Sequence, residues 1–459
     1  MTRFIYLGLA CLLSATVLTG PVQAAGEGAL KAAKGMAYDN PIADATPMPL
    51  PRFYARHVEE GNKLLMQNRL TEAMDEFFTA KNINPDYYPA YIGNGDAYQK
   101  MGQLDKAMEN YQTALRLLNP SYASDRILRA NYYADRREFR AALRDYGDVL
   151  RVDPAAGNQF TLAMKELRHD EPKKAVKAFE EAIRLDDDYP DPHFQLGNLY
   201  FRDNKLKKAI PPYEMAVKIE PDNPLYRFAL GTSYYKDGTS KRKPDMTAVA
   251  KATTQFEHAL RLGMALPRLQ HNLGTCYVLT GNYDGAVEHL RLAVKGGLQD
   301  SETFYNFGNA LFRKGMTINY TWDGLSSLTD PNKLALNNAK FNYLLQAVKS
   351  YKLTIRLKEN YAQVHYDLGV AYYRLSELKL TEPFMADMLR DPESQKNYFT
   401  KGVTFFPQDM LWRSLQSFGT FISLSQDEKA KNNTLKVMAN LEKQLKDIGG
   451  KALTNSSHG

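Results

Sequence analysis

The histidines and acidic runs of this sequence are the side chains from which catalytic or metal chemistry would be built. The string nearest to a zinc-protease motif, His57-Val58-Glu59-Glu60-Gly61, lacks the second histidine of HExxH. The acidic run Asp186-Asp187-Asp188 lacks the alternating spacing and the distal glutamate of a calcium loop. No GxxxxGK(S/T), GxSxG or CxxC string occurs. The sequence therefore predicts a non-enzymatic chain without a metal site or a cofactor.

Cysteine chemistry is equally limited. Cys276 would be the remaining cysteine once a leader containing Cys11 is removed, so it cannot form an intramolecular disulfide. It lies in the string LGTCYVL, at a small-residue position of a predicted helix. This context favours a buried thiol over a reactive one.

The most regular stretch, residues 190–223, predicts two short helices joined by a turn. Small residues stand where the helices must approach closely, and tyrosines stand where they would fill the space beside them: Gly197, Ala209, Tyr200 and Tyr213. Asn204 falls at the turn, because asparagine tolerates the left-handed backbone conformation that ends a helix. Pro221 marks the end of the second helix.

The same spacing recurs from Tyr54 to residue 424. A period of about 34 residues with two helices closely resembles the tetratricopeptide repeat. The resemblance covers about nine repeats and implies an all-α fold, a right-handed α-α superhelix with a C-terminal capping helix. In such a solenoid each repeat buries its apolar face only against its neighbours.

The resemblance also implies that the first helix of each repeat lines a concave groove. The candidate partner-binding residues at the groove places are Phe194, Asn198, Phe201, Phe228, Tyr235, Tyr305, Asn309, Phe312, Tyr366 and Tyr373. An asparagine amide both donates and accepts hydrogen bonds, so it can pair with a peptide group, and the flanking rings supply apolar area. The alternative is that several of these rings only pack against the next repeat.

Three predicted insertions, near 239–247, 316–342 and 376–410, separate the two helices of a repeat. Equivalent loops of a solenoid lie along one edge, so we expect the three insertions to meet there. Trp322 and Trp412, the two tryptophans of the chain, belong to these stretches. They indicate either a local core that anchors the loops or an exposed docking surface, because tryptophan is enriched at interfaces.

The N-terminal residues 1–24 resemble a secretory signal peptide. Arg3 precedes an apolar run of about 15 residues, and Val22-Gln23-Ala24 offers small residues for cleavage. The run is shorter than the ~20 residues that span a bilayer, which favours a cleaved signal over the alternative, a retained anchor. We expect no membrane span after cleavage. This signal predicts export across the inner membrane, most simply to the periplasm.

The segments outside the repeats have distinct compositions. Residues 25–53 are rich in glycine and proline and predict a flexible leader. Residues 425–448 predict a charged helix that caps the last repeat, followed by a polar tail over 449–459.

The formal net charge is +7, with acidic and basic residues interspersed, which argues against a nucleic-acid partner. We therefore expect an interaction scaffold or adaptor of the cell envelope that binds a protein or peptide partner, within an envelope assembly. The alternative is a non-catalytic accessory of a polysaccharide synthesis or export machine.

Overall fold

The computed structural model of the chain describes residues 50–240, 243–319, 330–378 and 406–455. Within these ranges the regular secondary structure is α-helical, apart from one 3-10 turn at Ser121–Ala123. The chain divides into two compact units, Met1–Ala97 and Tyr98–Gly459. The predicted signal peptide and Trp322 lie outside the described residues.

The helices follow one another along the whole described chain. In order they are α1 Leu50–Met66, α2 Leu70–Ile83, α3 Tyr88–Lys100, α4 Leu104–Leu118, α5 Ser124–Asp135, α6 Phe139–Arg151, α7 Pro154–Arg168, α8 Pro172–Leu185, α9 Pro190–Arg202, α10 Leu206–Ile219, α11 Pro224–Thr239, α12 Met246–Arg261, α13 Pro267–Thr280, α14 Tyr283–Lys295, α15 Ser301–Thr317, α16 Pro331–Leu357, α17 Ala362–Ser376, α18 Phe406–Leu424 and α19 Glu428–Asn455. This order confirms the predicted all-α fold of repeated helix pairs.

The first unit is built around Phe77 of α2, which is fully buried. A Cβ atom placed on Gly61 would lie 2.6 Å from the Phe77 ring, and one placed on Gly93 would lie 2.3 Å from it. Glycine at both places therefore lets α1 and α3 approach the two sides of one ring. His57 Nδ1 lies 2.5 Å from Glu76 Oε2 and adds a polar contact between α1 and α2.

In the second unit, several helix pairs bring a glycine of the first helix against an aromatic ring of the second. A Cβ atom at each such glycine would lie 2.6–2.8 Å from the ring, as seen for Gly197 with Tyr213, Gly231 with Phe256, Gly308 with Tyr351 and Gly369 with Phe418. Side chains that bond the first backbone N–H groups begin several of these helices, namely Asp153, Asn223, Asp245, Asn282, Asp300 and Asp330. Asn204 has φ +58°, the left-handed turn predicted for it.

Replacing Gly197 with leucine is expected to lower the free energy of unfolding by about 1–3 kcal/mol, because the added side chain overlaps the Tyr213 ring. The urea midpoint measures this change. Gly419→Leu is the matched control, since a Cβ atom at Gly419 meets nothing within 4 Å. Equal losses in the two variants would show that the contact with Tyr213 is not the cause.

Several element boundaries differ from the predicted ones. Helix α1 begins at Leu50, four residues inside the predicted leader. Helix α16 begins at Pro331, so the second half of the predicted 316–342 insertion is helix. Helix α19 runs through Gly449 and Gly450 to Asn455, where a polar tail was predicted. Most of the 376–410 insertion lies outside the described residues.

The end of the repeat stack is covered by α19. Leu441 of this helix is 1% exposed and packs with Leu411, Leu415 and Phe418 of α18. This contact gives α19 the position expected of a capping helix, because the last pair would otherwise present an apolar face to water.

Candidate binding surface

The two predicted groove asparagines, Asn198 and Asn309, are each bonded to a tyrosine of the paired helix. The Tyr213 hydroxyl donates to Asn198 Oδ1 at 2.7 Å, and the Tyr351 hydroxyl donates to Asn309 Oδ1 at 2.8 Å. Asn198 Nδ2 also donates to Gln195 Oε1 at 3.0 Å. The carbonyl oxygen of each amide is thus used inside the repeat. What each amide can offer a ligand is its N–H donors.

Four predicted groove rings lie against a ring of the second helix in their own pair. The centroid distances are 5.7 Å for Phe194 with Tyr213, 6.0 Å for Phe228 with Phe256, 6.2 Å for Tyr305 with Tyr351 and 5.4 Å for Tyr366 with Phe418. Phe194 also stacks at 4.8 Å on Tyr226 of the next pair and is 9% exposed. It is a core residue here and does not face a partner, which corrects its assignment to the groove. Phe228, Tyr305 and Tyr366 pack against the second helix of their own pair, which is the alternative that the sequence left open.

The remaining four groove rings form part of a row at one place on successive first helices. Each lies four residues after the close-contact glycine of its helix, and Val278 of α13 has the same place between them. We call these five partly buried side chains the first-helix row: Phe201, Tyr235, Val278, Phe312 and Tyr373. Lys236 Nζ lies 4.3 Å from the Phe201 ring centroid, and the Arg374 guanidinium lies 5.3 Å from that of Tyr373. Val278 was not among the predicted groove residues, because a single valine in an apolar helix gives no signal that separates a surface place from the core.

The middle of the first-helix row rests on a helix that is buried on every side. Eight consecutive residues of α13, from Leu269 to Cys276, are buried. Its polar side chains bond to α15: His271 Nδ1 lies 3.0 Å from Thr303 Oγ1, and Asn306 Nδ2 donates to Thr275 Oγ1 at 3.2 Å. These bonds fix α13 against α15, so the row stands on a rigid support.

The His271 imidazole lowers the pKa of the Glu302 carboxyl, which belongs to the first turn of α15. His271 Nε2 lies 3.7 Å from Glu302 Oε1. The contact supplements the His271–Thr303 bond at the same helix interface.

A buried ion cluster around Arg126 is the feature that sequence analysis missed entirely. The Arg126 guanidinium of α5 lies 3.4 Å from Asp148 of α6, 3.6 Å from Asp191 of α9 and 3.1 Å from Glu220, which follows α10. The Tyr226 hydroxyl donates to Asp191. Burial raises the pKa of Asp148 and of Glu220, and the positive charge of Arg126 opposes both shifts. The cluster thus joins repeats that are not neighbours in the chain.

Trp412 of α18 is 59% exposed, so it lies at the surface. Its partner in the predicted insertion edge, Trp322, is outside the described residues, and whether the two meet stays a prediction. Cys276 is fully buried, which confirms the predicted buried thiol, and burial raises its pKa to about 12.

Neither metal binding nor a membrane span has support in the described ranges. They contain no group of three or more histidine, cysteine or acidic side chains placed to hold a metal ion. None of the helices in those ranges is both long and apolar enough to cross a bilayer.

Sequence profiles of tetratricopeptide repeats match four segments of the chain. A profile described as TPR repeat matches residues 172–204 and 197–238, and one described as tetratricopeptide repeat matches residues 88–117 and 267–295. The chain therefore contains tetratricopeptide repeats, and the helix pairs α3–α4, α8–α11 and α13–α14 fall in the matched segments.

Curated relatives share only part of their length with this chain. Bovine (Bos taurus) DnaJ homolog subfamily C member 3 is 24% identical over 131 residues, which are 28% of this chain and 26% of the relative. Human (Homo sapiens) tetratricopeptide repeat protein 6 is 25% identical over 172 residues, covering 29% of this chain and 33% of the relative. The chain thus spans about a quarter to a third of the relatives it matches.

Solved structures of tetratricopeptide repeat proteins are also similar. YrrB, titled a TPR protein with an unusual peptide-binding site, is 20% identical and covers 57% of this chain and 99% of its own, with a TM-score of 0.37. PilW, titled a type IV pilus biogenesis factor, is 15% identical and covers 53% and 98%, with a TM-score of 0.33.

Proposed function

We propose that this chain is a non-enzymatic interaction scaffold that holds an extended polypeptide segment along the first-helix row. The observation that carries the proposal is the row itself. Five apolar side chains recur at one place on α9, α11, α13, α15 and α17 and keep part of their surface accessible. Tetratricopeptide repeats commonly serve protein–protein interaction, and the row supplies this chain with a specific surface for it.

The first-helix row and the asparagines would contact different parts of a bound peptide. Side chains of a bound peptide would pack on rings such as Phe312 and Tyr373, which contribute apolar area at little cost in rotamer freedom. Carbonyl groups of the peptide backbone would accept from the amide N–H donors of Asn309 and Asn198. Because backbone groups are common to all peptides, specificity falls to the row.

Export to the cell envelope is part of the proposal and rests on the signal-like pattern of residues 1–24. One similar protein, 27% identical over 104 residues, is named dynein axonemal assembly factor 4. We propose an analogous assisting role in an assembly of the envelope. The alternative, an accessory of polysaccharide synthesis or export, is supported by the ring faces of the row, on which sugar rings could stack.

The double substitution Phe312→Ala and Tyr373→Ala is expected to reduce cross-linking of a polypeptide partner about tenfold, because two apolar contacts are lost. A photoreactive side chain at position 235, in the same row, captures the partner in the native envelope, and mass spectrometry identifies it. The control is Leu353→Ala with Leu357→Ala, two exposed residues of the second helix α16.

Undiminished cross-linking in the row variant would reject the row as the binding surface. Recovery of glycan without polypeptide would favour the polysaccharide alternative. Circular dichroism of each variant separates lost binding from lost folding.

A further inference from the structure

A stripe of arginines runs along one face of α6 and the turn before it. Arg140, Arg144 and Arg151 are spaced by four and seven residues, which places them on one side of α6, and Arg137 lies in the turn before the helix. With a rise of ~1.5 Å per residue, Arg140 and Arg151 are separated by about 16 Å along the axis. We call these four side chains the α6 arginine face.

Three of the four positive charges on this face are not neutralised by an ion pair within the described ranges, whereas Arg151 lies 3.3 Å from Asp148. Among the described residues, Arg137, Arg140 and Arg144 have no ion pair, although all three are exposed. The nearest acidic residues of α6 are engaged elsewhere. Asp145 Oδ2 lies 2.6 Å from Arg129, and Asp148 is shared by Arg126 and Arg151. Like charges four residues apart, as at Arg140 and Arg144, destabilise a helix. The charges of these arginines therefore do not stabilise α6.

The arginine face borders an open cavity of about 480 Å³ between α6 and the start of α4. Its lining includes Leu104, the buried Leu143 and the side chains of Arg140, Arg144 and Arg151. A neighbouring cavity of about 380 Å³ shares Leu104 and Arg140 and adds Arg137, Glu138, Phe139 and Ala141. The Glu138 carboxylate lies 3.6 Å from Arg136 Nε. The two cavities continue one another along the arginine face.

The turn into α4 leaves this trough open from the other side. Gly102 has φ +74°, and a Cβ atom there would meet nothing within 4 Å. Gln99 accepts a hydrogen bond from the Tyr111 hydroxyl at 3.1 Å, which fixes the side chain at the edge of the trough. The trough is therefore an open surface lined by leucine and arginine side chains.

We propose that the α6 arginine face binds an acidic polypeptide segment in which aspartate or glutamate residues alternate with apolar residues. Guanidinium groups bind carboxylates in a bidentate manner. Leu104 and Leu143 of the lining can contact the apolar side chains of a peptide. A polyphosphate or a sulfated sugar has no such side chains. At ~3.3 Å per residue, the 16 Å face accommodates about five residues of extended peptide. The inference rests on the proposed scaffold function and names the chemistry of a partner at a second surface, apart from the first-helix row.

The test uses the full mature chain and a fluorescein-labelled peptide of sequence Glu-Leu-Asp-Leu-Glu-Leu-Asp-Leu, whose binding is followed by fluorescence anisotropy. Arg140→Gln with Arg144→Gln is expected to weaken binding at least tenfold, since two charge-assisted contacts are lost. The matched control is Arg291→Gln with Arg356→Gln, which removes the same charge from two other exposed arginines. It should change binding less than about twofold, because charges beyond a Debye length are screened.

Two altered probes check the chemistry. Replacing the acidic residues of the peptide by glutamine and asparagine should abolish binding, and replacing the leucines by serine should weaken it about tenfold. The proposal is overturned if the labelled peptide fails to bind. It is also overturned if polyphosphate of equal charge binds as tightly, or if both double variants weaken binding equally.

The outcomes separate this inference from the proposed function. The variant Phe312→Ala with Tyr373→Ala should still bind the acidic peptide. Absence of peptide binding alongside a row-dependent cross-link would reject the arginine face alone. Peptide binding without a row-dependent cross-link would reject the row and leave the arginine face standing.

Discussion

Replacing Arg126 with methionine is expected to lower the free energy of unfolding by about 3–5 kcal/mol, because it leaves buried carboxylates without their cation. The side chain of Arg126 is 14% exposed and lies within 4 Å of three carboxylates from three different helices or their ends. Methionine preserves much of the volume but removes the cation. Asp148, Asp191 and Glu220 would then repel one another in a poorly solvated site.

The urea midpoint and hydrogen exchange of α5, α9 and α10 measure this loss. Arg184→Met is the matched control, because Arg184 pairs with Glu181 at 2.6 Å in full contact with solvent. Exposed pairs contribute little to stability, so this variant should be indistinguishable from the parent chain. If Arg126→Met also leaves the urea midpoint unchanged, the ion cluster does not stabilise the contact between the repeats.

The same variant carries a pH signature. Burial raises the pKa of Asp148 and Glu220 above their ordinary values of 3.8 and 4.5. A carboxyl whose pKa is higher in the folded state reduces stability as the pH rises through that pKa, because the unfolded chain ionises more readily. Loss of Arg126 enlarges this effect. The stability difference from the parent chain should therefore be largest near neutral pH and shrink as the pH falls toward the ordinary values.

Measuring the free energy of unfolding of both chains over this pH range tests whether charge causes the difference. A difference that stays constant over this range would mean that methionine acts through packing and not through charge.

Replacing Tyr351 with alanine is expected to cost about 3–5 kcal/mol, as for other large buried aromatic residues. The Tyr351 ring is 1% exposed and lies over Gly308, where a Cβ atom would be 2.6 Å away. It also packs against Tyr305 and bonds Asn309. Since Gly308 has no side chain to move into the space, the cavity cannot collapse easily.

Two controls on the same helix divide this loss into its parts. Tyr351→Phe removes only the hydroxyl and should cost about 0.5–1.5 kcal/mol, because Asn309 Oδ1 loses a buried donor. Leu353→Ala removes a partly exposed side chain of α16 and should stay within about 0.5 kcal/mol of the parent. A loss in Tyr351→Phe as large as in Tyr351→Ala would assign the effect to the hydrogen bond and not to the cavity.

The helix pairs were predictable because the signal that defines them is local. Gly197 and Tyr213 are a fixed number of residues apart, and a short turn leaves the two helices one way to pack. The left-handed turn at Asn204 follows from the same spacing. Insertions break that regularity, so the early start of α16 at Pro331 could not be read from the repeat.

The candidate surface was predictable only in part. Spacing places Phe194 and Phe201 on the first helix of one pair, but it does not reveal which ring the next pair covers. The structure shows that Tyr226 covers Phe194, whereas Phe201 stays partly accessible. Spacing also suggested that Asn198 offers both a donor and an acceptor. The Tyr213 hydroxyl occupies the acceptor.

By itself, the sequence determined that this chain is a series of helix pairs, because glycine and aromatic residues recur at a period that only such pairs can bury. The tertiary structure alone decided which side chains remain for a partner. It also decided that Arg126 meets Glu220, a residue 94 positions away. Contacts between residues so far apart depend on how each helix pair is rotated against the next. Small differences at each interface add up along the chain, and a local sequence pattern does not predict them.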